Sequence, residues 1–222
     1  MKKQAMVVLI GAIAVAIFPA SNLYASEFSV GLKTGIAFSR VGSLDENYSS
    51  FQDEGFPKYA YPPGFYAGLF GEMRISDELS LVTELSLLKN ISQITITTTF
   101  ESIPEMKYHG TYLRFSPLFK YKTDWSFSPY FLLGTDMGYL IKAESEMLDL
   151  WNMRSGTFEI TNDLQPVDVS IAVGIGKEFK VSKNSFLLET KLSLGLTKNE
   201  STSFLEGWRN NALMFGCGII LW

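Results

Sequence analysis

The chain has 222 residues, 46% hydrophobic and 14% aromatic, with 19 basic residues against 23 acidic and a net charge of −4. That balance excludes a nucleic-acid partner, because no basic excess is available to neutralise a phosphate backbone. Cys217 is the only cysteine, which excludes an intramolecular disulfide, and the length without a Pro- or Ser-rich linker fits one main domain.

At the N-terminus, Lys2 and Lys3 precede an apolar run from Ala5 to Phe18, followed by Pro19 and small residues around Ala25 and Ser26. This is the plan of a secretory signal peptide. The run is shorter than the roughly 20 residues a membrane-spanning helix needs. The expectation is a signal peptide over residues 1–25 and a mature domain over 26–222, with a retained anchor as the alternative. Without Lys2 and Lys3 the chain carries 17 basic residues to 23 acidic and lies near −6.

From Phe28 onward the side chains alternate in character with a period of two, the signature of β-strands. The first strand, Phe28 to Val41, sets Val30, Leu32, Ile36 and Phe38 against Ser29, Lys33, Ala37 and Ser39. A second runs from Gly64 to Ile75. The third starts at Leu79, and its alternation slips near Lys89 to Gln93, predicting a bulge there and an extension beyond the membrane. In the fourth, Thr111 to Lys122, Pro117 predicts a bulge or a weakened ladder. The fifth puts Phe131, Leu133, Met137, Tyr139 and Ile141 opposite Gly134, Asp136, Gly138 and Lys142. Strands six and seven form a regular hairpin, Val167 to Thr197. The last segment, ALMFGCGIILW, has two registers. Leu213, Phe215, Cys217, Ile219 and Leu221 make the more apolar face, at the cost of turning Trp222 inward.

Links after the second, fourth and sixth strands are short, and those after the first, third, fifth and seventh are long or extended. Together with one apolar face and one face of charges and glycines, this predicts an all-β fold: an eight-stranded antiparallel transmembrane up-and-down β-barrel. The apolar face then meets lipid in the cell outer membrane, and both termini are periplasmic. A soluble lipocalin-type carrier has the same period, but glycines and charges would occupy its core.

The inward face holds Lys33, Glu72, Arg74, Glu84, Arg114, Lys120, Asp136, Lys142, Asp168, Glu178, Glu189 and Lys191. An eight-stranded barrel has room inside for side chains and little more. Buried charges persist only when paired, so the expectation is a structural ion-pair network that plugs the lumen. Glycines at 31, 35, 68, 134, 138, 174, 176 and 195 would make space for it.

Chemistry beyond structure is sparse. His109 is the only histidine, near Glu101, Ser102 and Glu105, and nothing ties these into a triad. Asp45, Glu46, Asp53 and Glu54 lack the spacing and glycine of a calcium loop. No catalytic residue, cofactor or metal is expected. Tyr48, Phe51, Phe56, Tyr59, Tyr61, Trp151 and Trp208 crowd the long segments as a loop contact surface, or as anchors at the lipid headgroups.

The segments YLRFSPLFKYK, SPYFLLGTDMGYL, VDVSIAVGIGKEF and FLLETKLSLGLT resemble, in sequence and order, the PorT-like outer-membrane β-barrel family of bacteroidete-type bacteria. The shared features are Pro117 and Leu118, Pro129 and Tyr130, the glycines of the sixth strand, and Leu188, Glu189 and Gly195. The resemblance implies an integral outer-membrane barrel, and one namesake takes part in protein export by the type IX route. It transfers no active residues. The partners expected are outer-membrane lipid, the barrel-insertion machinery signalled by the aromatic C-terminal end, and envelope or secretion proteins. The leading reading is a non-catalytic interaction or accessory protein. A small pore or solute channel is the alternative, and a rim-located enzyme the third.

Overall fold

The computed structural model describes residues 27–42, 57–97, 102–149, 154–162, 164–182, 184–197 and 209–221. The expected signal peptide, residues 1–25, lies outside them. The described residues contain ten strands and no helix: β1 (Phe28–Gly42), β2 (Pro57–Ala60), β3 (Gly64–Arg74), β4 (Leu79–Thr97), β5 (Ser102–Lys122), β6 (Pro129–Asp149), β7 (Arg154–Glu159), β8 (Val167–Val181), β9 (Asn184–Gly195) and β10 (Arg209–Ile220).

Eight of these close on themselves. The antiparallel order β1-β3-β4-β5-β6-β8-β9-β10 is completed by β10 pairing back to β1, from Gly31↔Ile220 to Gly42↔Arg209. Closure leaves the barrel wall without an edge. The two short strands lie outside this ring, β2 on β4 and β7 on β6. At one end, the turn end, the connections after β3, β5 and β8 are short, and β1 begins and β10 finishes there. Ser182 has φ 59° in the connection after β8, a left-handed turn position that suits the right-handed twist of a tight hairpin.

At the opposite, loop end the wall is uneven. β4, β5 and β6 have 19, 21 and 21 residues against 11 in β3 and 12 in β9. Crossing a bilayer takes about 9 to 11 tilted residues, so these three strands, flanked by β2 and β7, stand well beyond the rest.

Outside the wall, Leu32, Ile36, Phe65, Leu69, Leu87, Phe119, Leu133, Ile171, Ile175, Leu188 and Phe215 form an exposed apolar belt. The last strand takes the more apolar register, with Leu213, Phe215 and Cys217 outward and Met214 buried inward.

Two irregularities differ in place from expectation. The β4–β5 ladder runs unbroken through Lys89 to Gln93, with Leu88, Asn90 and Ser92 buried and Lys89, Ile91 and Gln93 facing out. Its register shift comes later, between Thr95 and Thr97. What looked like a slip is a change in which face is polar. A second shift lies in β5–β6: Thr111 pairs with Lys142 and Tyr112 with Leu140, which makes Ile141 an extra residue in β6. Pro117 behaves as a weak point of the ladder, since β5–β6 pairing lapses between Phe115↔Met137 and Leu118↔Gly134 without a change of register.

Candidate functional site: the lumen and its mouth

Inward side chains fill the barrel in layers. Nearest the turn end, Lys120 Nζ donates to Glu72 Oε2 at 2.6 Å and also to Glu178, whose other oxygen accepts from Lys122 Nζ at 3.1 Å. In the next layer Lys33 Nζ donates to Glu84 and, at 2.9 Å, to Glu189 Oε2. Lys191 Nζ reaches the other Glu84 oxygen at 2.5 Å, and the Tyr130 hydroxyl donates to Glu189 Oε2 at 3.0 Å. Glu84 of β4 thus sits between the ammonium group of Lys33, two strands away on β1, and that of Lys191 on β9, directly across the ring. Here, Lys33, Phe70, Glu72, Lys120, Tyr130 and Glu189 surround a space with no volume for a water molecule.

Further toward the loop end, Arg114 Nε donates to Asp136 Oδ1 at 2.9 Å, an oxygen that also accepts from Ser116 Oγ at 3.0 Å. Ser193 Oγ donates to Asp136 Oδ2 at 3.2 Å. Arg114 Nη2 lies 3.8 Å from Asp168 Oδ2, and Thr197 donates to the other Asp168 oxygen at 2.9 Å. A neutral layer follows, in which Ser39 Oγ donates to Asn90 Oδ1 at 2.8 Å and Asn90 Nδ2 to Asn210 Oδ1 at 3.4 Å. Every layer joins strands far apart in sequence, so the charges act as cross-braces.

Toward the loop end the described residues form an apolar cluster. Tyr108 and Tyr112, with their hydroxyls 2.9 Å apart, pack with Leu140, Ala143, Leu164 and Ile160. Leu164 belongs to the segment between β7 and β8, which is fastened to β6 beside its bulge. Ile160 N donates to Ala143 O at 3.0 Å, Ala143 N to Thr161 Oγ1 at 2.9 Å, and Leu140 N to Pro166 O at 2.8 Å.

Nine of the expected lumen charges are buried: Lys33, Glu72, Glu84, Arg114, Lys120, Asp136, Asp168, Glu189 and Lys191, while Glu178 is half-buried. Two are elsewhere. Arg74, the last residue of β3, is at the exposed turn-end rim, paired with Glu27. Lys142 is on the outer face, because the extra residue Ile141 inverts every side chain beyond it. Its Nζ is 2.6 Å from Glu144 Oε1. This pair lies beyond the apolar belt, and the hydrogen-bonded Lys142 ammonium holds the Glu144 carboxyl below its ordinary range.

The inward aromatic residues were not singled out in the sequence, yet Tyr66, Phe70 and Tyr130 fill much of the lumen. They explain several glycines: a Cβ on Gly176 would collide with the Tyr130 ring, and one on Gly216 with the Tyr66 hydroxyl. The glycines therefore make space for rings more than for lysines. Lys122, Ser116, Ser193, Asn90 and Asn210 also join the network unannounced. Their signal was their inward parity.

His109 faces outward, its Nε2 3.4 Å from Glu146 Oε1, and it pairs across the ladder with Glu144. Among the described residues no three His, Cys, Asp or Glu side chains converge as metal ligands. Glu101, Asp45, Glu46, Asp53 and Glu54 lie outside the described residues, as do Tyr48, Phe51, Phe56, Trp151 and Trp208. Tyr59 is in β2 and Tyr61 is 46% exposed just beyond it.

Residues 19–200 match a family model described as outer membrane protein beta-barrel domain. Solved structures similar to the chain include the attachment invasion locus protein Ail of Yersinia pestis, at 16% identity and TM-score 0.43, covering 88% of this chain and 99% of that one. OprG of Pseudomonas aeruginosa matches at 14% identity and TM-score 0.48, covering 88% and 97%. Neisserial surface protein A matches at 14% and 0.42, covering 88% and 98%. No curated protein matches the chain.

Proposed function

Because the chain belongs to the outer membrane protein β-barrel domain family, and so resides in the outer membrane, we propose that it is a closed barrel that works through its loop end and rim as an interaction or accessory component of the envelope. The observation that carries this reading is the filled lumen among the described residues: Glu84 bridges Lys33 and Lys191 at the waist, beside a space too small for a water molecule. With the interior committed to holding the wall together, the surfaces left for function are outside it. The tall β4–β5–β6 wall with β2 and β7 is one such surface among the described residues.

In this reading the loop end is extracellular, and the short turns and both termini are periplasmic, the asymmetry usual in such barrels. The barrel has no catalytic role, cofactor or metal. The resemblance of Tyr112 to Thr197 to PorT-like barrels favours protein secretion as the process it serves.

A photo-crosslinking residue placed at Gln93 or Glu146 on the tall wall, and at Asp77 or Asp124 in the turns, tests this in intact cells. The expected result is a discrete adduct with one envelope or secretion protein. Adducts with lipid alone from all four positions overturn it.

A further inference from the structure

Between β4, β5 and β6 the outward side chains fall into rows set by the ladder pairing. Leu87, Leu113 and Tyr139 form one row of the apolar belt. The next row toward the loop end is Lys89, Thr111 and Lys142, and beyond it come Ile91, His109 and Glu144. Adjacent strands lie about 4.8 Å apart, so two lysines flank one threonine hydroxyl over roughly 10 Å. Chemistry changes within a single row, from hydrocarbon-like side chains to two ammonium groups.

This boundary is built by the bulge. Were Ile141 not an extra residue, Lys142 would point inward opposite Gly110, into the apolar cluster between Tyr108 and Tyr112. Instead it stands outside, half exposed, with one N–H donated to Glu144 and the others free to turn outward. Lys89 is exposed beside Phe65, its partner on β3, which is itself 59% exposed.

A side-chain row that lies directly above lipid-facing leucines and offers two ammoniums and a hydroxyl suits an anion anchored in that same lipid. We propose that Lys89, Thr111 and Lys142 form a site for the phosphate group of an outer-leaflet glycolipid headgroup, whose acyl chains lie along Leu87, Leu113 and Ile141. Glu144 stands one row farther from the belt with its carboxylate on Lys142, so a bound phosphate shares that ammonium with it, and Glu146 lies a row beyond. The assignment to the outer leaflet rests on the orientation proposed above.

The test uses the full chain folded in neutral detergent and presented with bis-phosphorylated lipid A, or with the same lipid after phosphatase treatment, and native mass spectrometry reads the retained adduct. The natural chain is expected to retain the phosphorylated lipid preferentially. Each of K89Q and K142Q should lower retention about fivefold, and the double variant roughly 25-fold. A K180A control at the turn end should match the natural chain. Heat-modifiable migration on a gel verifies that each variant is folded, and K89R/K142R, which keeps both charges, should restore binding if the double glutamine variant misfolds. Equal retention of the two lipids, or a folded K89Q/K142Q chain that binds like the natural one, overturns the site. The assay is independent of orientation and of partner proteins, so its failure leaves the interaction reading intact, and absent crosslinks leave the lipid site intact.

Discussion

Below Ile141 the β5–β6 wall is apolar outside and charged inside, with Leu113 and Leu133 outward and Arg114 and Asp136 buried. Above it the arrangement inverts: Lys142, Glu144, His109 and Lys107 face out, while Tyr108, Tyr112, Ala143 and Leu164 pack within. The same two strands thus follow opposite rules over a few residues. What changes is the solvent on the outer face, lipid for the body and water for the extension, and a one-residue bulge places the switch.

The sharpest way to break this comparison is in the body's interior. Glu84→Leu strands Lys33 and Lys191 without their shared carboxylate, and removing one member of a buried pair costs about 3 to 5 kcal/mol. Urea unfolding in bilayers should report that loss, whereas Glu146→Leu on the outer face of the extension should stay within about 0.5 kcal/mol. Placing a charge on the body's outer face comes next. Leu133→Lys, at a position 59% exposed to the surroundings, should cost about 2 to 4 kcal/mol near the bilayer midplane. The matching change above the bulge, Ile91→Lys, should cost less than about 1 kcal/mol because water meets it.

Much of this inversion was legible in the sequence, but half of it was misread. Strict alternation in Val167 to Thr197 and the order of short and long links were enough for the barrel, because a two-residue period with one lipid face admits few other folds. The same alternation found most of the lumen charges. It failed at Lys142, since an inserted Ile between Leu140 and Lys142 leaves a sequence that still alternates plausibly. It failed at Lys89 to Gln93 for the complementary reason: a regular strand whose outer face turns polar mimics a register slip. Arg74 was lost to an end effect, because at the last residue of a strand Glu27 and solvent compete with the lumen. The inward tyrosines carried no charge to mark them.

The apolar interior of the extension is a smaller perturbation. Leu164→Ala should remove about 2 kcal/mol of local packing and speed hydrogen exchange at the amides of Leu140, Ala143 and Ile160. Amides of the body, such as that of Leu192, should keep their rates.

The smallest effect concerns the Lys142–Glu144 pair. Its folded-state carboxyl titrates below the unfolded value, so its contribution is present above the ordinary Glu range, about pH 4.5, and is lost as the pH falls through the lower folded value. Glu144→Gln should therefore remove that small contribution at neutral pH, flatten the slight acid-side decline, and match the natural chain once the pH is below the folded value.

Planar-bilayer recording of the purified, folded chain tests most directly whether the body's interior is closed. The cross-braced lumen predicts a silent membrane in the natural chain at any ordinary voltage, and a folded variant with Lys33, Glu84, Lys191 and Glu189 all replaced by alanine should also stay silent, because the Arg114–Asp136 layer and the Tyr108–Tyr112 cluster still fill the lumen. Reproducible unitary conductance steps from the natural chain would contradict the plugged lumen and make the barrel a channel.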